Sequence, residues 1–249
     1  MILYPNAKIN IGLNVIRKRE DEYHDISSLF YPVKSLFDIL EVIHSDVFSF
    51  TSTGITIPEG ENICCKAFTL LKKDFDISNI KIHLHKQIPI GAGVGGGSSD
   101  GAFTLLALNR LFNLELSNDQ LERYALKLGA DCPFFIQNKP KHITGLGEKM
   151  EGISLDLSNY ELKFVFSDIH ISTKEAYSTI IPVIPKINIL DIVSKPLEDW
   201  KENIKNDFEN FTFIKYPKLK MIKQKMYSDG AIYVSMSGSG SMIYGIFKN

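Results

Sequence analysis

Apolar and polar residues alternate along the first part of the chain, which is the pattern of a strand with one buried face. Residues 9–15 place Ile, Ile, Leu and Val at every second position, with Asn or Gly between them. Residues 80–84 repeat this alternation shortly before Pro89. Shorter apolar runs predict further strands, at residues 36–43, 47–50, 162–166, 231–236 and 243–247.

Apolar residues at helical spacing lie between these strands. The spacing predicts helices over residues 62–75 and 100–112, and a lysine-rich helix after Pro217. Ser117, with a glutamine three residues later, has the form of a capping box and predicts another helix, which would end near Gly129. Strands and helices mixed in this way indicate an α+β fold.

The composition limits the number of domains and the class of protein. A chain of 249 residues is long enough for two modest cores, and its texture changes near residue 150, so we predict lobes over residues 1–150 and 151–249. The formal net charge of −1 gives no overall basic field to attract nucleic acid or a membrane surface. Three cysteines without CxxC spacing, no signal peptide and no long apolar run favour a reducing, cytoplasmic location.

A glycine-rich segment is the main candidate for chemistry. Residues 91–99 read Gly-Ala-Gly-Val-Gly-Gly-Gly-Ser-Ser, between a predicted strand and a predicted helix. Glycine allows positive φ and close approach of another group, and backbone N–H groups at a helix start attract anions. No Gly-Lys-Ser or Gly-Lys-Thr closes a Walker A loop here, and the GxGxxG match alone is weak. We interpret the segment as a phosphate cradle for a nucleoside triphosphate; a flexible turn is the alternative.

Three segments resemble the motifs of the GHMP kinases, in the order that this family has them. Residues 89–100, Pro-Ile-Gly-Ala-Gly-Val-Gly-Gly-Gly-Ser-Ser-Asp, resemble the central phosphate-binding motif. Residues 5–13, Pro-Asn-Ala-Lys-Ile-Asn-Ile-Gly-Leu, resemble the N-terminal motif, and residues 235–240, Ser-Met-Ser-Gly-Ser-Gly, the C-terminal glycine loop. The resemblance implies a kinase that uses ATP and Mg²⁺. It also implies a two-lobed fold, with an N-terminal lobe like domain 2 of ribosomal protein S5 and a ferredoxin-like C-terminal lobe.

Within this family, four features are similar to the members that phosphorylate an alcohol of a small molecule carrying a cytidine diphosphate group, in the non-mevalonate route of isoprenoid biosynthesis. They are Lys-Ile-Asn at residues 8–10, Tyr-His at 23–24, Leu-Gly-Ala-Asp-Cys-Pro-Phe-Phe at 128–135 and Gly-Leu-Gly-Glu at 145–148. Glu22, Asp25 and Gly101 depart from the usual pattern of these members. Residues 185–217 carry no recognisable motif.

The resemblance implies that Lys8 and Asp131 form the catalytic pair. Asp131 would orient the attacking hydroxyl and accept its proton late in phosphoryl transfer, because an alcohol is far less acidic than a carboxylic acid. Lys8 would keep Asp131 ionised and offset charge on the reacting oxygens. A capping role for Asp131 and a solvated strand position for Lys8 are the structural alternatives.

The resemblance also implies which residues bind the two substrates. The expected ATP-binding residues are Pro89, Ile90, Gly91, Ala92, Gly93, Val94, Gly95, Gly96, Gly97, Ser98, Ser99 and Asn62. The expected residues for the acceptor substrate are Asn10, Tyr23, His24 and Tyr177, with the aromatic rings stacked on the base and the histidine or its backbone at the base edge. The C-terminal glycine loop, expected beside the phosphates, is Ser237, Gly238, Ser239 and Gly240. No carboxylate identifies itself as a ligand of Mg²⁺.

Several of these residues have a structural alternative. Asn62 would serve equally as the N-cap of the helix that begins there. Tyr177 would fit a core or lobe interface, and the loop after Ser237 would fit a plain hairpin turn. His83 and His85 face the same side of a strand but lack a third metal ligand.

The motifs leave two other functions open. One is a different GHMP kinase, acting on mevalonate, homoserine or a sugar, or the related diphosphomevalonate decarboxylase. The other is a nucleotide-binding protein of the same fold without catalysis. The Tyr-His pair at residues 23–24 disfavours the first, and the presence of both Lys8 and Asp131 disfavours the second.

Overall fold

A computed structural model describes residues 1–60 and 62–249 of the chain. The strands are β1 (Ile2–Leu3), β2 (Asn6–Lys18), β3 (His24–Phe37), β4 (Ile39–His44), β5 (Ser49–Gly54), β6 (Ile80–Lys86), β7 (Lys141–Gly145), β8 (Lys149–Gly152), β9 (Tyr160–Val165), β10 (Tyr233–Met236) and β11 (Ile243–Lys248). The α-helices are α1 (Ile63–Asp74), α2 (Gly96–Leu111), α3 (Asn118–Leu128), α4 (Cys132–Gln137), α5 (Thr173–Ser178), α6 (Ile189–Val193), α7 (Trp200–Asn203), α8 (Phe208–Lys215) and α9 (Pro217–Ser228). Of the helices within the described residues, none is long and apolar enough to cross a bilayer.

The chain forms two compact units, each assembled from separate stretches of sequence. The first unit comprises Met1–Lys8, Pro32–Ile90 and Gly95–Lys139. The second comprises Ile9–Tyr31, Gly91–Val94 and Pro140–Asn249. The lobes expected over residues 1–150 and 151–249 follow sequence order instead, and that division stays a prediction.

The first unit combines a mixed sheet with the helices around α2. The strand order is β1-β4-β6-β5, in which β4 is antiparallel to β1 and β6, whereas β5 is parallel to β6. Helix α2 contacts β4 and packs against α1, α3 and α4. Leu40 and Ile82 on the strands and Leu105 and Leu108 on α2 are buried. The helix that follows the glycine segment is therefore anchored in the core of its unit.

The second unit contains a three-stranded antiparallel sheet in the order β10-β11-β9. In a four-stranded sheet of the order β2-β3-β7-β8, strand β7 is antiparallel to both β3 and β8. The expected pairing of residues 231–236 with 243–247 is confirmed by the ladder from β10 to β11. Leu13 and Val15 of β2 belong to one apolar core together with Phe208, Val234 and Ile243. Leu13 and Val15 thus lie in this core, but the polar side chains of Lys8 and Asn10 are buried as well, so this part of β2 lacks the exposed face that the alternation predicts.

The local helix signals are confirmed at α3. Ser117 Oγ accepts from the N–H of Gln120 at 3.3 Å, and Gln120 Oε1 accepts from the N–H of Ser117 at 2.9 Å, which completes the capping box. The helix ends at Gly129, as expected, and the Gly129 N–H donates to Ala125 O. Gly129 has extended backbone, with φ of 169°, so the ending is not the left-handed one expected of a C′ glycine.

The prediction of one strand over residues 36–43 is wrong. Strand β3 ends at Phe37 and β4 begins at Ile39, with Asp38 between them. The Asp38 N–H donates to Pro5 O at 2.8 Å, and its carboxylate accepts from the N–H of Ile88 at 2.8 Å. These partners, distant in sequence, interrupt the strand because the Asp38 backbone cannot join a ladder at the same time.

A buried group of charges ties three segments of the first unit together. Lys86 donates through Nζ to the carboxylates of Asp38 and Asp100, the latter at 2.7 Å, and all three residues are at least nine-tenths buried. Burial raises the pKa of Asp100, and Lys86 only partly offsets this effect. Burial alone would lower the pKa of Lys86, but the two carboxylates raise it. The group fixes the end of β6 against the first turns of α2, on either side of the glycine segment.

Candidate active site

The glycine segment leads directly into α2. Gly91, Gly93 and Gly95 have φ of 74°, 77° and 70°, a region that side chains with a Cβ rarely adopt. Helix α2 starts at Gly96, four residues earlier than the sequence predicts, and its first backbone bond within the helix runs from the Ser99 N–H to Gly95 O. The N–H groups of the first helical turn therefore have no partner inside the helix, which is the arrangement that binds anions.

Close approaches explain why two of these positions are glycine. A Cβ on Gly93 would lie 2.3 Å from Ser237 O, and within the second unit that backbone cannot move freely. In the first unit, a Cβ on Gly95 would lie 3.0 Å from Cζ of Phe135 and 3.1 Å from Cγ of Lys8. At these two positions the segment thus runs too close to its neighbours for a larger residue.

The first unit brings Lys8 and Asp131 together. Lys8 Nζ lies 3.4 Å from Asp131 Oδ2, with the lysine side chain buried and that of Asp131 34% exposed. Asp131 stands at the N-cap position of α4, yet its side chain makes no capping hydrogen bond within the described residues. The capping alternative for Asp131 is thus not realised. The Asp131 carboxylate therefore stands beside a buried ammonium group and is partly accessible to a substrate.

The second unit places Tyr23, His24 and Tyr177 around a cavity of about 700 Å³, which Lys18 and Lys174 also line. The rings of His24 and Tyr177 stack with centroids 5.1 Å apart and an interplanar angle of 27°, and Phe208 meets Tyr177 edge-on at 4.9 Å. Burial and then Lys18 lower the pKa of His24, which favours an uncharged imidazole.

This stacking limits how a flat ligand can bind. A third ring between His24 and Tyr177 would need a separation of about 7 Å, twice the contact distance of stacked atoms. The observed 5.1 Å leaves no room for it. Tyr23 is 65% exposed, so its ring is accessible at the edge of the same cavity.

Asn10 is buried in the second unit and serves the structure there. Its Nδ2 donates to Ser28 Oγ at 2.9 Å, and its backbone O accepts from the Tyr244 hydroxyl at 2.9 Å. Its N–H donates to Ser237 Oγ at 3.2 Å. A role of Asn10 in binding a substrate stays a prediction.

The C-terminal glycine loop connects β10 to β11 and also touches the glycine segment. Ser237 Oγ donates to Gly93 O at 2.9 Å. Gly238 and Gly240 have φ of 57° and 100°, and the Gly240 N–H donates to Ser237 O to close the turn. The loop is therefore a hairpin turn, which was the structural alternative for it, and the turn also holds Gly93 within the second unit.

Asn62 caps α1, because its Oδ1 accepts from the Cys64 N–H at 2.8 Å. Asn62 thus has the N-cap role that was its structural alternative, and its role in binding adenine stays a prediction. His83 and His85 are hydrogen-bonded to Thr51 and Thr53 on β5.

Ser99 is the side chain in the glycine segment that fits as a ligand of Mg²⁺. Among the described residues there is no group of three His, Cys, Asp or Glu side chains suited to a metal ion. Ser99 Oγ is buried in the first turn of α2 without a hydrogen-bond partner among those residues. A hydroxyl suits Mg²⁺, which takes oxygen ligands and obtains most of them from phosphates and water. The site thus fits a metal carried mainly by a bound nucleotide.

The sequence reasoning missed two sets of buried polar residues. One is the group of Lys86, Asp38 and Asp100, and the other is Asn206 with Glu209. The sequence gives little signal for them, because most of their partners lie far along the chain and Asn206 and Glu209 stand among other polar residues.

The first unit contains features of an enzyme that transfers phosphoryl groups. Backbone N–H groups without a partner in the helix lie at the start of α2, and the carboxylate of Asp131 stands beside the buried Lys8. Phosphoryl transfer needs positioning and electrostatic stabilisation, which such features supply.

Comparison with known proteins defines the family. Residues 62–139 match the family model described as GHMP kinases N terminal domain, and residues 189–249 match GHMP kinases C terminal. The chain belongs to the GHMP kinase family. The resemblance seen in the sequence is thereby confirmed, and so is the α+β GHMP kinase fold.

Full-length relatives carry one name. The chain is 50% identical over its whole length to 4-diphosphocytidyl-2-C-methyl-D-erythritol kinase of Azobacteroides pseudotrichonymphae, covering 94% of that protein. It is 47% identical to the protein of the same name from Bacteroides thetaiotaomicron, covering all of this chain and 92% of that one.

Solved structures agree with this assignment. A crystal structure of 4-(cytidine 5'-diphospho)-2C-methyl-D-erythritol kinase is similar with a TM-score of 0.87 and 33% identity, over 99% of this chain and 90% of that one. The Methanococcus jannaschii mevalonate kinase is similar with a TM-score of 0.73 over 100% and 90% of the two chains. Its 15% identity shows a shared fold alone.

Substitution of Gly93 tests the close approach. We expect Gly93→Ala to lower the free energy of unfolding by about 2 kcal/mol or more, because it combines left-handed strain with a clash against backbone. Gly97→Ala is the matched control, since no described atom lies within 4 Å of its added Cβ. Alanine in a helix should leave stability unchanged or raise it by about 0.5–1 kcal/mol. Urea unfolding of both variants measures the difference, and equal effects would contradict the role assigned to Gly93.

Proposed function

We propose that this chain transfers the γ-phosphoryl group of ATP to the 2-hydroxyl of 4-diphosphocytidyl-2-C-methyl-D-erythritol, in the non-mevalonate route of isoprenoid biosynthesis. The observation that carries the proposal is the identity of 50% over the whole chain with a kinase named for that substrate. The ion pair of Lys8 and Asp131 supports a catalytic role over a non-catalytic one. A cytoplasmic location belongs to the same proposal.

Asp131 acts as the proton acceptor. An alcohol is far less acidic than a carboxylic acid, so the carboxylate does not take the proton of the ground-state hydroxyl. It orients the hydroxyl through a hydrogen bond and takes the proton as the new O–P bond forms, when the oxygen has become acidic. The 34% exposure of its side chain leaves an oxygen accessible to the acceptor.

Lys8 holds the site electrostatically. Its ammonium group, 3.4 Å from Asp131, favours the ionised carboxylate before transfer. The same positive charge offsets negative charge on the reacting oxygens, and burial of Lys8 makes that interaction stronger than it would be in water.

The phosphates bind mainly to backbone. The N–H groups of Gly96, Gly97 and Ser98 lie in the first turn of α2, where they have no partner within the helix. The Ser99 hydroxyl would be the protein ligand of an Mg²⁺ ion bound with ATP, and the ion would neutralise charge on the phosphate oxygens. The remaining residues of 89–99 shape the backbone that carries these N–H groups.

The aromatic cavity of the second unit binds the cytosine of the acceptor. Tyr23 offers an exposed ring, and Tyr177 is held by His24 and Phe208. Because His24 and Tyr177 stack on each other, the base does not lie between them. It stacks on Tyr23 and on the outer ring surface of the His24–Tyr177 pair. Lys18 and Lys174 line the cavity and complement the diphosphate of the substrate.

A panel of acceptors tests the proposed reaction. We expect ADP release with 4-diphosphocytidyl-2-C-methyl-D-erythritol and none above background with mevalonate, homoserine or galactose, because only the first carries a cytosine for the aromatic cavity. A coupled assay for ADP measures this. Turnover of another acceptor, with none of the cytidine compound, would refute the assignment.

Asp131→Asn tests the proton acceptor. We expect turnover to fall by at least about 100-fold, since general base catalysis contributes this much, while the dissociation constant for ATP changes less than about threefold. Steady-state kinetics and calorimetric titration with ATP give the two values. Asp74→Asn is the control, because Asp74 lies at the end of α1 and bonds only to the Tyr124 hydroxyl among the described groups. A parallel loss of ATP binding and turnover would remove Asp131 from its role as base.

Tyr177→Ala tests the base-binding cavity. We expect the KM for the cytidine substrate to rise about tenfold or more, because stacking on an aromatic ring contributes roughly 1–3 kcal/mol per base. The KM for ATP should change less than twofold. Tyr177→Phe keeps the ring and should leave both KM values nearly unchanged. An unchanged KM for the cytidine substrate in Tyr177→Ala would exclude Tyr177 from the site.

A further inference from the structure

Residues 205–209, which lead from α7 into the first turn of α8, include two buried polar side chains in a part of the chain without a motif. Asn206 is only 2% exposed, and Glu209 is also buried. Burying an amide or a carboxylate costs free energy unless it is hydrogen-bonded. Here both side chains are bonded, and their partners lie next to the C-terminal glycine loop.

Asn206 uses its whole amide. Its Nδ2 donates to Met236 O and to Gly238 O, both at 2.8 Å, and its Oδ1 accepts from the Phe208 N–H at 3.0 Å. The two carbonyls belong to the residues on either side of Ser237. One side chain therefore fixes the backbone both before and after this serine.

Ser237 is the residue through which that restraint reaches two motifs. Its hydroxyl donates to Gly93 O at 2.9 Å and accepts from the Asn10 N–H at 3.2 Å. It is fully buried. The position of Ser237 thus restrains that of Gly93, on which an added Cβ would lie only 2.3 Å from Ser237 O.

The segment that carries Asn206 is itself fixed to β2. The Leu13 N–H donates to Lys205 O at 2.9 Å, and the Asp207 N–H donates to Leu13 O at 2.8 Å. Asp207 Oδ2 accepts from the Val15 N–H at 2.8 Å. Asn206 therefore acts from a rigid base within the second unit.

Glu209 holds the other side of the loop. Its Oε1 accepts from the Met236 N–H at 2.8 Å, and its Oε2 accepts from Lys223 Nζ at 2.6 Å. Glu209 and Asn206 thus bind the N–H and the carbonyl of the same residue, Met236, at the end of β10. These two bonds fix the backbone at the point where the glycine loop leaves β10.

We propose that Asn206 is a positioning residue for phosphoryl transfer, which holds Ser237 and through it Gly93 of the phosphate-binding segment. The inference rests on the proposed function and extends it to a residue outside the three motifs. Asparagine is required because both of its amide hydrogens bond to carbonyl oxygens. An aspartate in its place would set a buried carboxylate against those two oxygens, with no hydrogen to offer.

The test compares Asn206→Ala and Asn206→Asp with Asn203→Asp, an exposed asparagine whose Nδ2 donates to Asp199 O. We expect kcat/KM for ATP to fall at least tenfold and the calorimetric dissociation constant for ATP to rise at least fivefold in the Asn206 variants. The KM for the cytidine substrate should change less than twofold. Asn203→Asp should match the parent protein. All measurements are made well below the melting temperature of each variant.

A double variant separates positioning from stability. If Asn206 acts through Ser237, Asn206→Ala with Ser237→Ala loses no more kcat/KM for ATP than Ser237→Ala alone. Multiplied losses, or a lower melting temperature with unchanged ATP affinity and kinetics, would overturn the inference. The ATP titration needs no acceptor, so it decides on Asn206 even if the panel of acceptors refutes the proposed reaction.

Discussion

The contact between Gly93 and Ser237 is the constraint on which the phosphate-binding segment depends in the second unit. The two backbones approach so closely that a single methyl group on Gly93 would lie 2.3 Å from a carbonyl oxygen. Glycine is required there both for this space and for positive φ. The Ser237 hydroxyl donates a hydrogen bond to the carbonyl of the same glycine, and this bond stabilises the close approach of the two backbones. A loop that must present N–H groups to phosphates gains from such a fixed backbone, since an ordered donor needs no rearrangement when charge develops.

The first unit fixes the far side of the segment by a different means. Lys86, Asp38 and Asp100 place charges in the core, where each would be costly alone. Two carboxylates share one lysine, and the raised pKa of Asp100 shows that burial outweighs the attraction of Lys86. Precision at the start of α2 is therefore obtained with charged groups, and at Ser237 with neutral hydrogen bonds.

Local chemistry made much of the structure predictable. The capping box at Ser117 depends on neighbours in sequence and is found as expected. The alternation along β2 predicts the strand but not the burial of its polar positions, and the glycine segment enters α2 four residues earlier than the sequence predicts. Strand β3 was missed because its inward positions include Ser28, a polar residue whose partners, Asn10 and Gly12, lie on β2. The sequence does not predict the break at Asp38 or the proposed role of Asn206, because their main hydrogen-bond partners lie tens of residues away. The contact of His24 with Tyr177 shows this limit within the site itself: the motif identified the rings but not that they stack on each other.

The interleaving of the two units bears on how the chain is made. Residues 9–31 leave the ribosome well before residues 140–249, yet both belong to the same compact unit. Strand β2 cannot bond to Lys205 and Asp207, nor Gly93 to Ser237, until those later residues have been synthesised. Contacts of such large sequence separation slow folding and leave apolar segments exposed in the meantime. The apolar residues of β2 are therefore accessible to chaperones during translation, before their partners exist.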